Sequence, residues 1–167
     1  MIKFEKVSFE QFKKDSLEIQ PELSEEIIQT AYNAIKIPKR STVGSAGYDF
    51  VSPYNFTIRE KAVIVPTGMR IKLPEDKVLL IVPRSGIGFK TGVSLANTIG
   101  VIDSDYYNSN NEGHIMIKLI PGFKPLKMNR GAKIVQGIIL QYFKTDDEDD
   151  IKQTRNGGFG STDINKS

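Results

Sequence analysis

The sequence contains no cysteine among its 167 residues, which excludes disulfides, thiolate metal sites and a cysteine nucleophile. It also lacks a long apolar run, because the longest aliphatic stretch, residues 78–82, is far too short to span a bilayer. The N-terminus has no apolar stretch of signal-peptide length. These absences predict a cytoplasmic protein with no membrane partner.

Charge of one sign is not concentrated in this chain either. The net charge is only +3, and acidic and basic residues are interspersed except near the C-terminus. A duplex-binding protein usually carries a concentrated basic stripe, so we expect no nucleic-acid partner. The one acidic run, residues 146–150, could be imagined as a metal site. Adjacent carboxylates normally lie solvated on a linker, and a metal site needs ligands that converge from separated positions, so we favour a linker.

The first part of the chain, residues 1–33, has a helical pattern. Ser8 and Gln11 fit a capping box that opens a short helix, with the Gln11 side chain reaching back to the cap. Ser24 precedes a second apolar stripe at helical spacing. We therefore predict two short helices before Pro38. This helical N-terminal extension is expected to pack on the surface of the domain, with a partner-binding arm as the alternative.

The character of the sequence changes after Pro38. Short runs rich in Val, Ile, Tyr and Phe alternate with Gly, Pro, Asn and Asp, as is typical of a β sandwich or barrel. No helical period of useful length appears among them. The candidate strands are residues 62–65, 69–72, 78–82, 115–120 and 134–143. We predict an all-β domain over residues 34–144, followed in residues 145–167 by the acidic linker and a Gly-rich tail.

Five short segments place glycines or polar residues against apolar strands. In the first, Gly47 precedes Asp49, which suggests a close approach of backbone to another element, although an Asp in a turn is the commoner meaning. In the second, Arg84, Ser85 and Gly86 offer a forked cation, a hydroxyl and an unobstructed amide, a good phosphate cradle. The glycines that follow miss the dinucleotide-binding spacing and no βαβ context follows, which excludes a Rossmann motif.

The third segment, residues 97–106, is the most informative. An apolar hairpin arm ends in Asp103, and Tyr106 follows three residues later. A carboxylate at the rim of an apolar pocket is a candidate general base, whereas a turn residue would be favoured if the segment stood alone. In the fourth segment, Gln136 lies inside an apolar strand, either as an edge or surface residue or as a buried ligand contact.

The fifth segment, residues 155–162, is rich in glycine. Glycines allow backbone N–H groups to converge on an anion, but the segment lacks the lysine of a Walker motif and a following helix. A Gly-rich terminus is more often mobile than functional. The single aromatic among the glycines, Phe159, nevertheless indicates a function.

Taken together and in order, the five segments resemble the five motifs of the trimeric dUTPase family, from about residue 34 to residue 162. The resemblance implies a distorted jelly-roll β subunit, a homotrimer, and three active sites shared between subunits and closed by the C-terminal tail. It implies hydrolysis of dUTP to dUMP and pyrophosphate by attack of water on the α-phosphorus, which keeps uracil out of DNA and supplies dUMP for dTMP synthesis. Mg²⁺ would be held by phosphate oxygens and water, with no direct protein ligand.

The resemblance also assigns roles to residues. Asp103 would be the base for the attacking water, and Asp49 would support the metal waters. The hairpin backbone would read uracil together with Asn97, and Tyr106 would exclude a 2′-hydroxyl. The full set implied to bind substrate is Arg84, Ser85, Gly86, Asn97, Gly100, Val101, Ile102, Tyr106, Gln136, Arg155, Phe159, Gly160, Ser161 and Thr162. Among these, Phe159 would stack on the base, and the other tail residues would hold the β and γ phosphates.

Three features depart from the family pattern. Residues 107–112 replace the single residue that is common between the third motif and the next strand, which predicts a polar loop extension. One residue instead of two separates Arg155 from Gly157. Ala132 and Lys133 replace an acidic residue and an arginine that usually precede the fourth motif.

Two other functions compete with dUTP hydrolysis. The related dCTP deaminases place a catalytic glutamate where this chain has Lys118, which cannot shuttle the proton, so we reject that activity. Some phage members of the family also bind repressors, and the N-terminal arm and residues 107–112 are candidate surfaces for a regulatory protein partner if the chain is of phage origin. The only histidine, His114, is expected to face solvent or the trimer surface.

Overall fold

The computed structural model describes residues 1–147. Its elements in chain order are β1 (Lys3–Lys6), α1 (Phe9–Ile19), α2 (Glu25–Ala34), β2 (Lys39–Arg40), β3 (Tyr48–Val51), β4 (Phe56–Ile58), β5 (Val63–Pro66), β6 (Met69–Lys72), β7 (Lys77–Pro83), α3 (Ser85–Thr91), β8 (Ser94–Leu95), β9 (Gly100–Ile102), a 3₁₀ helix (Ser104–Asn108), β10 (Met116–Ile120), β11 (Leu126–Met128) and β12 (Lys133–Gln141). The fold is mostly β, as the sequence pattern predicts.

The strands form small antiparallel sheets. The largest has the order β2-β3-β12-β7-β9, a second has the order β5-β10-β8, and β1-β6 and β4-β11 form two-stranded ribbons. The long pair β12 and β7 is in register over seven residues, from Val135 opposite Pro83 to Gln141 opposite Lys77. Alternating residues of β7, Leu79 and Ile81, are buried in the core, as the period of two in a strand requires.

The five strands predicted from apolar runs are all present, with ends that differ by one or two residues. The shorter strands β2, β4, β8, β9 and β11 have only two or three residues each, too few to show an alternating pattern.

Two helices are present in the N-terminal segment, and each begins at the predicted serine. Ser8 Oγ accepts a hydrogen bond from the Gln11 N–H at 3.1 Å, and Ser24 Oγ accepts one from the Ile27 N–H at 3.3 Å. The predicted return contact of the Gln11 side chain is wrong, because its amide donates to Asp15 Oδ2 at 2.9 Å.

The segment is part of the core and not a separate helical extension. Strand β1 precedes the helices and pairs with β6. Phe4, Phe12 and Ile28 lie in the same buried cluster as the strand residues. This burial accounts for the apolar stripes of α1 and α2.

Helix α3 contradicts the expectation that no helix follows Pro38. It has seven residues, two of them the poor helix formers Gly86 and Gly88, so neither propensity nor an apolar stripe predicts it. It ends at Gly92, which has a left-handed φ of 71° and donates its N–H to the Gly88 carbonyl at 2.8 Å. Within residues 1–147, no helix has the length and apolar character needed to cross a membrane.

Candidate active site

A cleft of about 290 Å³ lies between β9, the 3₁₀ helix and β10. Its apolar wall comes from β7, β8 and β10, and its remaining walls contain Asn97, Gly100, Val101, Ile102 and Tyr106. These are the residues that the sequence analysis assigns to the base and the sugar. The volume is close to the lower end of the range for small-molecule pockets, roughly 300–1,000 Å³.

The side of the cleft that contains Asn97 is formed by a tight turn and an edge strand. Thr98 has a left-handed φ of 63°, and the Ile99 N–H donates to the Asn97 carbonyl at 2.6 Å. Gly100 faces Ile81, whose Cβ would lie only 3.1 Å from a Cβ at residue 100. Because β9 is the edge of the five-stranded sheet, half of its backbone polar groups point away from β7.

Tyr106 lines the cleft where β9 leads into the 3₁₀ helix, and Asp103 directly follows β9. Asp103 is exposed and precedes the 3₁₀ helix, and its carbonyl accepts from the Tyr106 N–H at 3.3 Å. Tyr106 is buried, and its hydroxyl donates to the His114 carbonyl at 2.9 Å and accepts from Asn111 Nδ2 at 2.8 Å. Tyr106 is therefore held by hydrogen bonds at both its backbone N–H and its hydroxyl.

A second polar cluster surrounds Asp49. Its carboxylate accepts from Ser41 Oγ at 2.6 Å and pairs with Lys133 Nζ at 2.6 Å and Arg84 Nε at 3.2 Å. Burial raises the pKa of Asp49, but the hydrogen bonds from Lys133 and Ser41 and the Arg84 charge outweigh it, so the pKa lies below its usual value. Asp49 thus orients the Arg84 guanidinium. The sequence analysis did not identify Ser41, and it noted Lys133 only as a departure from the family pattern.

Gln136 lies in the middle of the five-stranded sheet rather than at an edge. In β12 it is opposite Asp49 of β3 on one side and Val82 of β7 on the other. Its amide donates to the Pro83 carbonyl at 3.5 Å. The backbone of Gly47 approaches this side chain closely, since a Cβ at residue 47 would be 2.3 Å from Gln136 Oε1. The close approach predicted for Gly47 is confirmed.

Asp103 and Arg84 lie toward opposite ends of β7. Asp103 directly follows Ile102, which pairs with Leu79, whereas Arg84 directly follows Pro83 at the other end of the strand. The five residue steps from Leu79 to Arg84 span about 17 Å at the rise of a β-strand. One chain therefore does not bring Asp103 and Arg84 together.

The expectation that His114 faces solvent or the trimer surface is wrong. The side chain is fully buried, its Nδ1 lies 2.5 Å from Asp15 Oδ2, and its Nε2 accepts from the Gly68 N–H at 2.8 Å. Because Nε2 accepts a hydrogen bond, Nδ1 carries the proton of a neutral imidazole and donates it to Asp15. Asp15 is 99 residues away in sequence, so no local pattern indicates the pair.

Some predicted site residues lie outside the described part of the chain. These are Arg155, Phe159, Gly160, Ser161 and Thr162, together with residues 148–150 of the acidic run. Within residues 1–147, no group of three His, Cys, Asp or Glu side chains comes together as a metal site.

The family assignment follows from comparison with known proteins. A family model described as dUTPase matches residues 33–163. The chain belongs to the dUTPase family. It is 38% identical over 143 residues to the deoxyuridine 5′-triphosphate nucleotidohydrolase of Lactococcus lactis, an alignment that covers 82% of this chain and 95% of that protein.

Solved structures of dUTPases have the same fold. The dUTPase of Streptococcus mutans superposes with a TM-score of 0.62 and 29% identity, covering 86% of this chain and 98% of that one. A point mutant of the dUTPase from phage phi11 of S. aureus gives a TM-score of 0.62 at 16% identity, covering 92% and 97% of the two chains. That structure is described as coordinating a structural Mg(II) ion. These matches confirm the resemblance found in the sequence motifs.

Proposed function

We propose that this chain hydrolyses dUTP to dUMP and pyrophosphate, with Asp103 as the base that activates the attacking water. The observation that carries the proposal is that one cleft collects Asn97, β9 and Tyr106, and that Asp103 directly follows the last residue of β9. A positioned carboxylate can take the proton of water as it attacks the α-phosphorus. The reaction would remove dUTP before it enters DNA and would supply dUMP for dTMP synthesis in the cytoplasm.

Selection of uracil is assigned to the edge backbone of β9 together with Asn97. A backbone N–H can donate to O4 of uracil, and a carbonyl can accept from its N3–H. Cytosine reverses both groups and would leave buried donors and acceptors unpaired, which discriminates strongly. Tyr106 is hydrogen-bonded at its backbone N–H and at its hydroxyl, and in this position it would leave no room for a ribose 2′-hydroxyl.

The phosphates are assigned to the other end of β7. Arg84 is oriented by Asp49, Ser85 and Gly86 are exposed at the start of α3, and Gln136 lies beside them in the sheet. Arg155, Phe159, Gly160, Ser161 and Thr162 would complete this contact from the C-terminal tail, with Phe159 on the base.

Mg²⁺ fits this site as a partner of the substrate and not of the protein. The Asp49 carboxylate already has two cationic partners at 2.6 and 3.2 Å, so it is not poised as a ligand and would at most hold metal-bound water. Mg²⁺ usually keeps several waters and binds substrate phosphates. When bound, it would neutralise charge on the phosphates. We therefore assign magnesium to phosphate oxygens and water.

A homotrimer of jelly-roll subunits with shared active sites is part of the proposal. The separation of Asp103 and Arg84 along β7 supports it. Asp103 must act at the α-phosphate while Arg84 holds phosphate, and a triphosphate is shorter than that separation. Asp103 of one subunit would therefore work with Arg84 of a neighbour.

The activity is tested by pyrophosphate release from dUTP, dCTP, dTTP and UTP with Mg²⁺. We expect release from dUTP alone. Asp103→Asn should lower the rate by roughly 10²- to 10⁴-fold, the usual contribution of a general base. Asp105→Asn, an exposed carboxylate two residues further along, is the matched control and should retain the rate. Ammonia release from dCTP would indicate a deaminase instead, although the exposed Lys118 of β10 stands where that activity needs a glutamate.

Sharing of the site is tested by mixing two inactive variants. Asp103→Asn and Arg84→Ala are denatured, combined and refolded together, and dUTP hydrolysis is compared with each variant refolded alone. Mixed assemblies contain some sites with both intact residues, so activity should return only in the mixture. Persistent inactivity of correctly assembled mixtures would contradict a shared site.

A further inference from the structure

Helix α1 lies outside the substrate cleft, yet it is tied at two points to the segment that leads out of the 3₁₀ helix. At its start, Glu112 accepts from the Ser8 N–H at 2.8 Å and from the Ser8 hydroxyl at 2.6 Å. Further along the helix, Asp15 accepts from the His114 ring at 2.5 Å. Residues 8 and 112 are 104 positions apart in the chain. The contacts therefore connect the N-terminal helix to the inserted loop, residues 107–112, and to the histidine that follows it.

The same segment holds Tyr106 from three directions. The Tyr106 hydroxyl accepts from Asn111 Nδ2 at 2.8 Å and donates to the His114 carbonyl at 2.9 Å. The Ser109 hydroxyl donates to the Tyr106 carbonyl at 2.7 Å. Two of these three contacts come from residues of the insertion. The position of Tyr106 at the wall of the cleft therefore depends on this segment.

The backbone between the two sets of contacts is held in an unfavourable conformation. Glu112 has a left-handed φ of 57°, which costs free energy for a residue with a side chain. Gly113 has φ of 69°, and a Cβ there would lie 2.7 Å from the Tyr106 carbonyl oxygen. The conformation persists because Ser8 holds the Glu112 carboxylate, with the Arg70 guanidinium 3.9 Å from it. Loss of the Ser8 contact would let Glu112 relax, and the neighbouring contacts of Tyr106 would move with it.

A third connection reinforces this arrangement. The Tyr107 hydroxyl donates to Glu5 of β1 at 2.6 Å, and the Arg70 guanidinium lies 4.5 Å from the centre of the Tyr107 ring. Glu5 also pairs with Arg70 at 3.5 Å. The insertion is therefore packed against the N-terminal segment at both of its ends.

We propose that α1 and residues 107–114 form a brace that positions Tyr106 for selection of deoxyribose over ribose. Ser8, Asp15, Glu112 and His114 are then positioning residues, since none of them lines the cleft. The inference rests on the proposed function, because the cleft must bind a uracil nucleotide. Exclusion of a 2′-hydroxyl is steric, so a small shift of Tyr106 weakens it. Uracil is assigned to β9, and none of the brace hydrogen bonds described above goes to that strand, so base selection should stay intact when the brace is broken.

The two serine helix caps provide a matched experiment. Ser8→Ala and Ser24→Ala each remove a serine that caps a helix, but only Ser8 contacts Glu112. Dissociation constants for dUMP, UMP and dCMP are measured by calorimetry on the full-length wild type and each variant. Ser8→Ala should lower the preference for dUMP over UMP by roughly fivefold or more, a typical coupling between separated sites. The preference for dUMP over dCMP should not change in either variant.

A structural role alone would give a different pattern. Both variants lose a helix cap, so loss of a cap alone cannot account for a change in sugar selection that is confined to Ser8→Ala. Ser8→Thr keeps the hydroxyl and should restore sugar selection. Glu112→Gln should lower the preference for dUMP over UMP as Ser8→Ala does, and it leaves the Ser8 cap of α1 intact.

The outcomes separate the brace from the proposed function. Selective binding of dUMP by the wild type, with unchanged sugar preference in both Ser8→Ala and Glu112→Gln, overturns the brace and leaves the function standing. An equal fall in Ser24→Ala also overturns it. Failure of the wild type to bind any uracil nucleotide overturns the proposed function and the brace together.

Discussion

Gln136 Oε1 lies 2.3 Å from the point that a Cβ atom at residue 47 would occupy. A methyl group at that point would force the amide away from Asp49 and Pro83, which flank Gln136 in the neighbouring strands. Residue 47 is therefore a glycine for reasons of space, since its φ does not lie in the left-handed region. The relationship links the first sequence motif to the fourth.

We expect Gly47→Ala to lower kcat/KM for dUTP by roughly ten- to a hundredfold, because a displacement near 1 Å at a site can have that effect. Steady-state kinetics would measure the change. Gly44→Ala is the control, since a Cβ at residue 44 would meet nothing within 4 Å. Equal rates in the two variants would show that Gln136 does not contact the substrate.

Asp49→Asn should lower kcat for dUTP by roughly tenfold, because it loses a charge-assisted contact to Arg84. KM should change little, because two effects on phosphate binding oppose each other. Removal of the Asp49 negative charge favours the phosphate, whereas loss of the contact leaves the Arg84 guanidinium without its orientation. Initial rates over a range of dUTP concentrations would separate the two constants. Asp76→Asn breaks an exposed pair with Lys77 outside both clusters and should alter neither. A large rise in KM at constant kcat would contradict the orienting role of Asp49.

Asp15 should make the free energy of unfolding depend on pH. Burial raises its pKa, but hydrogen bonds from His114 and Gln11 outweigh this, and the folded pKa lies below the usual value. Its contribution is therefore complete above about pH 5 and is lost as the pH falls through the folded pKa. Asp15→Asn should lower the free energy of unfolding at pH 7 by about 1.5–3 kcal/mol and flatten its decline in acid.

Urea unfolding at a series of pH values would measure the Asp15 effect. Asp146→Asn, at an exposed carboxylate, should follow the wild-type curve. Parallel curves for wild type and Asp15→Asn below pH 5 would refute the contribution of this pair.

His114 should be a neutral imidazole with its proton on Nδ1, because Nε2 accepts from the Gly68 N–H. The chain has one histidine, so its ring signals need no assignment. Two-bond ¹⁵N–¹H correlation spectra at pH 7 distinguish the two tautomers. A spectrum with the proton on Nε2 would contradict the hydrogen bond to Gly68.

The sequence predicted those parts of the fold that depend on local pattern. The β7 and β12 strands are long apolar runs, and Ser8 and Ser24 directly precede helical stripes, so both could be found from spacing. Helix α3 could not, because Gly86 and Gly88 lower its propensity and it covers only seven residues. The N-terminal strand β1 was missed because its partner β6 lies over sixty positions further along the chain.

The candidate site was predicted in the same uneven way. The cleft residues from Asn97 to Tyr106 are close in sequence, so the motif could indicate that they lie together. The burial of His114 and the contact between Ser8 and Glu112 depend on partners about a hundred residues away. The separation of Asp103 from Arg84 follows from strand register, which the motifs do not encode. Phe159 and the other tail residues stay predictions.

The contacts of α1 also determine the order in which the protein can be completed. Its partners Glu112 and His114 leave the ribosome about 5–20 s after the helix, at typical rates of synthesis. During that interval neither His114, the partner of Asp15, nor Glu112, the partner of Ser8, is available for hydrogen bonding. Contacts of such long sequence separation form late and slowly. The first helix to be synthesised thus makes two of its contacts only after residues 112 and 114 have left the ribosome.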